Sequence, residues 1–110
     1  YYASRGLGDV YKRQSEMLAV IKDLGTRKDE VRDYIDLMVL WYRDVLLFKA
    51  TKDINQLLFQ DEASYISREA SHRSYEKIEE ILQAFEKAKV RLRANVNFDI
   101  TMELMLLTLK

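Results

Sequence analysis

Residues 33–50, DYIDLMVLWYRDVLLFKA, constrain the fold of this chain more than any other segment. Apolar residues recur there at the spacing of an α-helix, whereas a strand would need alternation by twos. One broad apolar face carries Val31, Tyr34, Ile35, Met38, Trp41, Tyr42, Val45 and Phe48. Leu40 and Leu47 point the other way, as does Arg43, so this helix has apolar side chains on two sides. We therefore predict a central helix from about residue 27 to about residue 49 that lies between neighbours.

The composition favours a single, mostly helical domain. The 110 residues include no proline and three glycines, and 48% are hydrophobic and 33% charged, which suits helices better than a sheet with many turns. The absence of cysteine excludes disulfides and cysteine nucleophiles and fits the cytoplasm, where thiols stay reduced. The longest uncharged apolar stretch, residues 104–109, is far shorter than the roughly 20 residues that span a bilayer. We therefore expect no membrane partner.

Residues 1–14 resemble a sequence of technical origin. Residues 4–14, SRGLGDVYKRQ, match letter for letter the translation of a transposase-type adapter used in shotgun DNA sequencing. We therefore predict that residues 1–14 are a non-native leader and that residues 15–110 are the C-terminal fragment of a longer protein. The alternative is a genuine basic leader. Without this segment, which holds three basic residues and one acidic residue, the 18 basic and 18 acidic residues become 15 and 17, a balance that argues against a nucleic-acid surface.

Capping signals divide the first half of the chain into helices. Residues 15–24 read as the end of a helix that stops at Gly25, and Thr26 starts a capping-box pattern for the central helix. Residues 50–61 break the helical period, and their apolar cluster LLF predicts an ordered connection packed against the bundle. Residues 62–73 then predict a short helix.

The second half predicts two more helices joined by a tight corner. Ser74 is a suitable N-cap. An apolar stripe follows at Tyr75, Ile78, Ile81, Leu82, Phe85, Ala88 and Leu92. Asn95 suits a helix end and Asn97 suits the N-cap of a last helix, from about Phe98 to Leu109. The chain is therefore predicted to be all-α, a bundle of four or five helices.

The apolar residues of the last helix form two ridges. The first ridge consists of Phe98, Met102, Met105 and Leu109, and the second of Ile100, Leu104 and Leu107. A short terminal helix seldom has two internal neighbours, so we predict that the first ridge is core and the second is a subunit interface. The interface candidates are Ile100, Leu104, Leu107, Leu40, Leu47 and Arg43. The core candidates are Tyr34, Met38, Trp41, Val45, Phe48, Ile78, Leu82, Phe85, Leu92, Phe98, Met102 and Met105.

No catalytic, cofactor-binding or metal-binding residues are predicted. His72 is the sole histidine, and no Ser, Cys or carboxylate pair lies near it at ligand spacing. The pairs Asp61-Glu62 and Glu79-Glu80 are adjacent residues, and on a helix these point about 100° apart, too far to share an ion easily. Glycine-rich phosphate loops, zinc-protease motifs and nucleophile elbows are absent from the sequence.

Two charged features allow more than one interpretation. The basic run Lys87, Lys89, Arg91 and Arg93 could contact phosphates, although we favour a solvated helix end that complements the helix dipole. Arg43 and Asp44 place a charged pair within the most apolar helix, where it could orient that helix against its neighbours.

Three segments together resemble a known family, the C-terminal domain of the delta prime subunit of bacterial DNA polymerase III. They are residues 41–51, 78–100 and 101–109. The family pattern of an aromatic pair followed by Arg-Asp is matched by Trp41, Tyr42, Arg43 and Asp44. Its helix end L-x-x-N-V-N is matched by Leu92, Asn95, Val96 and Asn97.

This resemblance implies a collar domain without catalysis. In such a domain, helical packing joins delta prime to gamma or tau and delta subunits in the pentamer that loads the sliding clamp on primed DNA. It also implies that DNA and the clamp are contacted only through upstream modules. Two other hypotheses stay open: a basic-helix nucleic-acid-binding module that uses residues 87–93, and a free-standing helical bundle. A steep salt dependence of binding is expected of the nucleic-acid module alone.

Overall fold

The computed structural model describes residues 28–109, which form four α-helices and contain no strand. The helices are α1 (Lys28–Thr51), α2 (Ala63–His72), α3 (Tyr75–Arg93) and α4 (Phe98–Leu109), and two short 3-10 turns, Ile54–Gln56 and Gln60–Glu62, lie between α1 and α2. The prediction of an all-α fold is confirmed. The predictions for residues 1–14, for the helix at 15–24 and for capping by Thr26 lie outside the described residues.

The central position of α1 follows from its apolar pattern. It packs against α2 and against α3, and α4 packs against α3. The side chains of Trp41, Tyr42 and Val45 are fully buried. The indole of Trp41 meets the ring of Tyr42 edge to face, with 5.5 Å between ring centroids, a geometry that aromatic pairs favour. By their main contacts, the helices therefore follow the order α2, α1, α3, α4.

The core is formed by the faces that the helical spacing singles out. Among the core candidates, the structure buries Tyr34, Met38, Trp41, Val45, Ile78, Phe85, Leu92, Met102 and Met105. Phe48, Leu82 and Phe98 are partly buried and pack against this cluster. Tyr75, which the α3 stripe includes, is exposed instead, and the ammonium of Lys49 lies 5.1 Å from its ring centroid.

The connection between α1 and α2 is pinned to α1 by a buried carboxylate. Asp44 is only 3% exposed, and it accepts hydrogen bonds from the backbone N–H groups of Leu58 and Phe59 at 3.2 and 2.8 Å. Leu57 is buried in the core cluster. Leu58 points outward and is 70% exposed. The connection is therefore ordered, as its apolar cluster predicts, but only part of that cluster is buried.

A second buried polar network joins three helices. The hydroxyl of Tyr42 donates to Glu69 Oε2 at 2.9 Å, and Arg73 Nε donates to the same oxygen at 2.8 Å. Arg73 Nη2 donates to the carbonyl of Leu109 at 2.6 Å. Glu69 lies in α2, so this network links α1, the end of α2 and the last turn of α4.

Side-chain caps begin α3 and α4. The hydroxyl of Ser74 accepts a hydrogen bond from the N–H of Lys77 at 3.1 Å. The side-chain oxygen of Asn97 accepts one from the N–H of Ile100 at 3.0 Å. Both bonds satisfy donors that the first turn of a helix leaves without a partner.

A left-handed residue ends α3 and sets the corner before α4. Asn95 has φ 59°, a conformation that Asn tolerates better than most residues. The N–H of Val96 then bonds to the carbonyl of Arg91 at 3.0 Å, which is the closing bond of a Schellman motif. This tight corner folds α4 back along α3.

Candidate protein interface

An apolar ridge of α4 faces away from the core. We call Ile100, Leu104 and Leu107 the α4 ridge; their side chains are 54%, 42% and 57% exposed. The other apolar side of the same helix is buried, with Met102 and Met105 at 2% and 1%. α4 therefore uses one side for the core and presents the other on the surface.

A groove runs between α3 and α4 beside this ridge. We call it the α3–α4 groove; its lining residues are Glu80, Gln83, Ala84, Lys87, Arg91, Leu104 and Thr108. Lys87 and Arg91 are four residues apart, so they lie on one side of α3, one turn from each other. The groove thus combines an apolar side chain from α4 with two cations from α3.

A second, shallow groove connects this surface with α1. It is lined by Val39, Arg43, Leu82, Gln83, Glu86 and Lys87. Gln83 and Lys87 line both grooves, and Arg43 is exposed. The structure therefore brings Arg43 and Leu104, two of the interface candidates, to opposite borders of one surface centred on α3.

The remaining interface candidates on α1 are less accessible. Leu40 is half-buried, and Leu47 is partly buried and packs against the core cluster. Leu47 therefore contributes part of its surface to the fold of the domain itself, which leaves less of it for a partner.

The basic run of α3 is divided between two sides of the helix. Lys89 Nζ donates to Asp36 Oδ1 of α1 at 2.7 Å and lies 3.4 Å from Glu86. The hydrogen bond to Asp36 raises the pKa of Lys89 above its usual value, against the opposing effect of burial. Arg93 lines a polar groove on this α1 side. Lys87 and Arg91 line the groove beside α4, and Lys87 also borders the shallow groove toward α1. The four cations therefore do not form one continuous stripe.

One surface residue was missed by the sequence interpretation. Val90 is 54% exposed and lies three residues after Lys87 and one before Arg91. The signal was present in the sequence, because Val90 interrupts the basic run with an apolar residue on an otherwise polar face. Val90 therefore adds an exposed apolar side chain to α3.

The described residues offer little for metal or acid-base chemistry. His72 ends α2 and is exposed, and Asp61 is exposed while its neighbour Glu62 is buried. Within residues 28–109 there is no group of three or more acidic or histidine side chains that could hold a metal ion. Nor is any helix in this range long and apolar enough to cross a bilayer. The surface centred on α3 can bind by apolar contact and charge.

Comparison with known protein families gives a match over most of the chain. The family model described as DNA polymerase III, delta subunit, C terminal, matches residues 7–110. The matched range begins inside the segment predicted to be a leader, whose origin stays a prediction. No curated protein and no solved structure matches the chain.

Proposed function

Because the chain belongs to the family of C-terminal domains of the DNA polymerase III delta subunit, we propose that it is a clamp-loader collar domain. In this role it holds a delta prime subunit in the pentamer with gamma or tau and delta subunits, and the assembled pentamer loads the sliding clamp on primed DNA in the cytoplasm. The domain itself is not catalytic. The family model is described by the delta subunit. The finer assignment to delta prime, and not to delta, is supported by the sequence motif of Trp41 to Asp44 and by the helix end Leu92 to Asn97.

The α4 ridge is the observation that carries this proposal. Fully burying one aliphatic side chain is worth about 1.5 to 3 kcal/mol, so covering three that are roughly half exposed contributes about 2 to 5 kcal/mol. The ridge lies on a regular helix whose other side is fixed in the core. A rigid apolar strip of this kind loses little conformational entropy when a partner covers it.

The two alternative hypotheses explain less of this surface. A nucleic-acid-binding module needs its cations on one face, whereas Lys89 is paired with Asp36 on the α1 side. A free-standing bundle would leave the α4 ridge in water. Assembly with other helical subunits accounts for the ridge and for the family membership together.

The test is the substitution Leu104→Asp in the full chain, mixed with the C-terminal domain of the matching gamma or tau subunit. We expect the unchanged chain and the partner domain to co-elute in size-exclusion chromatography at tens of micromolar, and Leu104→Asp to abolish co-elution. The substitution replaces apolar contact surface with a hydrated carboxylate, which must lose its water when a partner covers it.

Leu58→Asp is the matched control, because it makes the same change at a leucine that is 70% exposed on the α1–α2 connection. We expect it to bind as the unchanged chain does. Met105→Asp places the charge in the core and should unfold the monomer, whereas Leu104→Asp should leave the melting temperature nearly unchanged. If Leu104→Asp melts the domain as severely as Met105→Asp, the α4 ridge is core and the interface assignment is wrong.

A further inference from the structure

We infer that the α3–α4 groove receives a partner helix whose apolar stripe is flanked by carboxylates that meet Lys87 and Arg91. This inference rests on the proposed assembly function and adds the chemistry of the partner. It concerns the α3 side of the surface, next to the α4 ridge.

The first argument is the arrangement of the groove walls. Lys87 and Arg91 line the groove from α3, and Leu104 and Thr108 line it from α4. Residues four apart on a helix lie on the same side, one turn from each other. The two cations of α3 therefore face Leu104 and Thr108 of α4 across the groove. An amphipathic helix laid between them meets both kinds of side chain along its length.

The second argument is that these two cations lack the internal partners that Lys89 has. Lys89 is held by Asp36 and Glu86, whereas no ion pair of Lys87 or Arg91 occurs in the part of the chain that the structure describes. Glu80, at the other end of the groove, already has Lys77 at 3.8 Å. The charge still available to a partner in this groove is therefore mainly positive.

The third argument distinguishes a helix from a nucleic acid as the occupant. A phosphate backbone would satisfy the cations, but it offers little apolar surface to cover Leu104 and the rest of the α4 ridge. A helix with an apolar stripe between carboxylates satisfies both. Complementary charge also accelerates association and fixes the orientation of the partner.

The experiment measures association of the full chain with the same gamma or tau C-terminal domain by biolayer interferometry. The variant is Lys87→Glu with Arg91→Glu, and the control is Lys52→Glu with Arg68→Glu, which makes the same change in net charge at two exposed positions on the connection and on α2. We expect the groove variant to bind at least about tenfold more weakly than the control. We also expect the association rate of the unchanged chain to fall between about 0.05 and 0.5 M salt, and that of the groove variant not to fall.

The outcomes separate this inference from the proposed function. If Leu104→Asp abolishes binding but the groove variant binds like its control, the collar interface stands and the acidic partner is wrong. Tighter binding by the groove variant would indicate a basic partner and overturn the inference. Self-association of the chain and its binding to duplex DNA are measured with the same variants. The inference is overturned if the groove variant loses only self-association, because the occupant of the groove is then a second copy of the chain. It is also overturned if the variant loses only binding to duplex DNA, because the occupant is then a nucleic acid. Unchanged binding by both Leu104→Asp and the groove variant would refute the proposed surface as a whole.

Discussion

At the scale of single residues, spacing along the chain predicted burial but did not predict polar partners. The core candidates lie in or against the core because every helix must bury one face. Asp44 is different: the sequence suggested only that Arg43 and Asp44 could orient this helix against its neighbours, and in the structure Asp44 accepts hydrogen bonds from two backbone N–H groups of the connection. Every residue except proline has the same backbone N–H group. The amino-acid sequence therefore could not show that Asp44 would bind the N–H groups of residues 14 and 15 positions later.

The role of Asp44 gives a prediction for the substitution Asp44→Asn. An amide has one acceptor oxygen where the carboxylate has two, and it turns its NH₂ group toward one of the two N–H donors. Because both bonds are charge-assisted and shielded from water, we expect a loss of about 1.5 to 3 kcal/mol in the free energy of unfolding, measured by urea denaturation. The amides of Leu58 and Phe59 should also exchange hydrogen faster.

Asp53→Asn is the control for this substitution. Asp53 makes comparable bonds to Asn55 and Gln56, but in the exposed 3-10 turn, so its loss should cost less than about 1 kcal/mol. An equal or smaller effect at Asp44 would show that the buried carboxylate does not hold the connection.

At the scale of elements, the helix boundaries follow from local signals, and the division of charge follows from helical geometry. The central helix was expected to end at about residue 49 and ends at Thr51, and the caps at Ser74 and Asn97 precede α3 and α4 as expected, because apolar periodicity and caps are both local. Residues two apart on α3 point about 200° apart. Helical geometry therefore places Lys87 and Arg91 on the opposite side of α3 from Lys89 and Arg93. Which side would meet α1 could not be predicted, because that depends on how the helices pack.

The Asp36–Lys89 bond between α1 and α3 predicts a pH-dependent contribution to stability. The folded-state pKa of Lys89 is raised, so the bond stabilises the fold at pH values below the unfolded pKa, and this contribution is lost as the pH rises through the folded pKa. Asp36 is more than half exposed, so the contribution should be only about 0.5 kcal/mol. Asp36→Asn should therefore be destabilised at neutral pH, and the difference from the unchanged chain should disappear at strongly alkaline pH.

Asp33→Asn serves as the control for this pH dependence, because Asp33 is an exposed carboxylate of the same helix near Lys89. Urea denaturation of the three chains at neutral and alkaline pH makes the comparison. An Asp36→Asn deficit that persists at alkaline pH, or an equal deficit in Asp33→Asn, would contradict the assigned role of the bond.

At the scale of the whole molecule, the fold class could be predicted and the helix order could not. An apolar face shows that a helix packs against something, but not which neighbour covers it. The surface centred on α3 is likewise composite: its residues come from α1, α3 and α4, so it exists only once the helices are in place. Of this surface, only the α4 ridge could be predicted from the sequence, because both apolar sides of α4 lie within one short helix.

The network of Tyr42, Glu69 and Arg73 gives a prediction for the cooperativity of the whole domain. Arg73→Met removes the bonds to Glu69 and to the carbonyl of Leu109 and leaves a mostly buried carboxylate without its cation. We expect a loss of about 2 to 4 kcal/mol in the free energy of unfolding. Because the network joins α1, α2 and α4, hydrogen exchange should accelerate in α2 and in the last turn of α4 together. The control Arg68→Met, at an exposed position of α2, should change neither the free energy of unfolding nor the hydrogen exchange. If hydrogen exchange in Arg73→Met accelerates in α2 alone, Arg73 caps its own helix and does not couple α4 to the rest of the bundle.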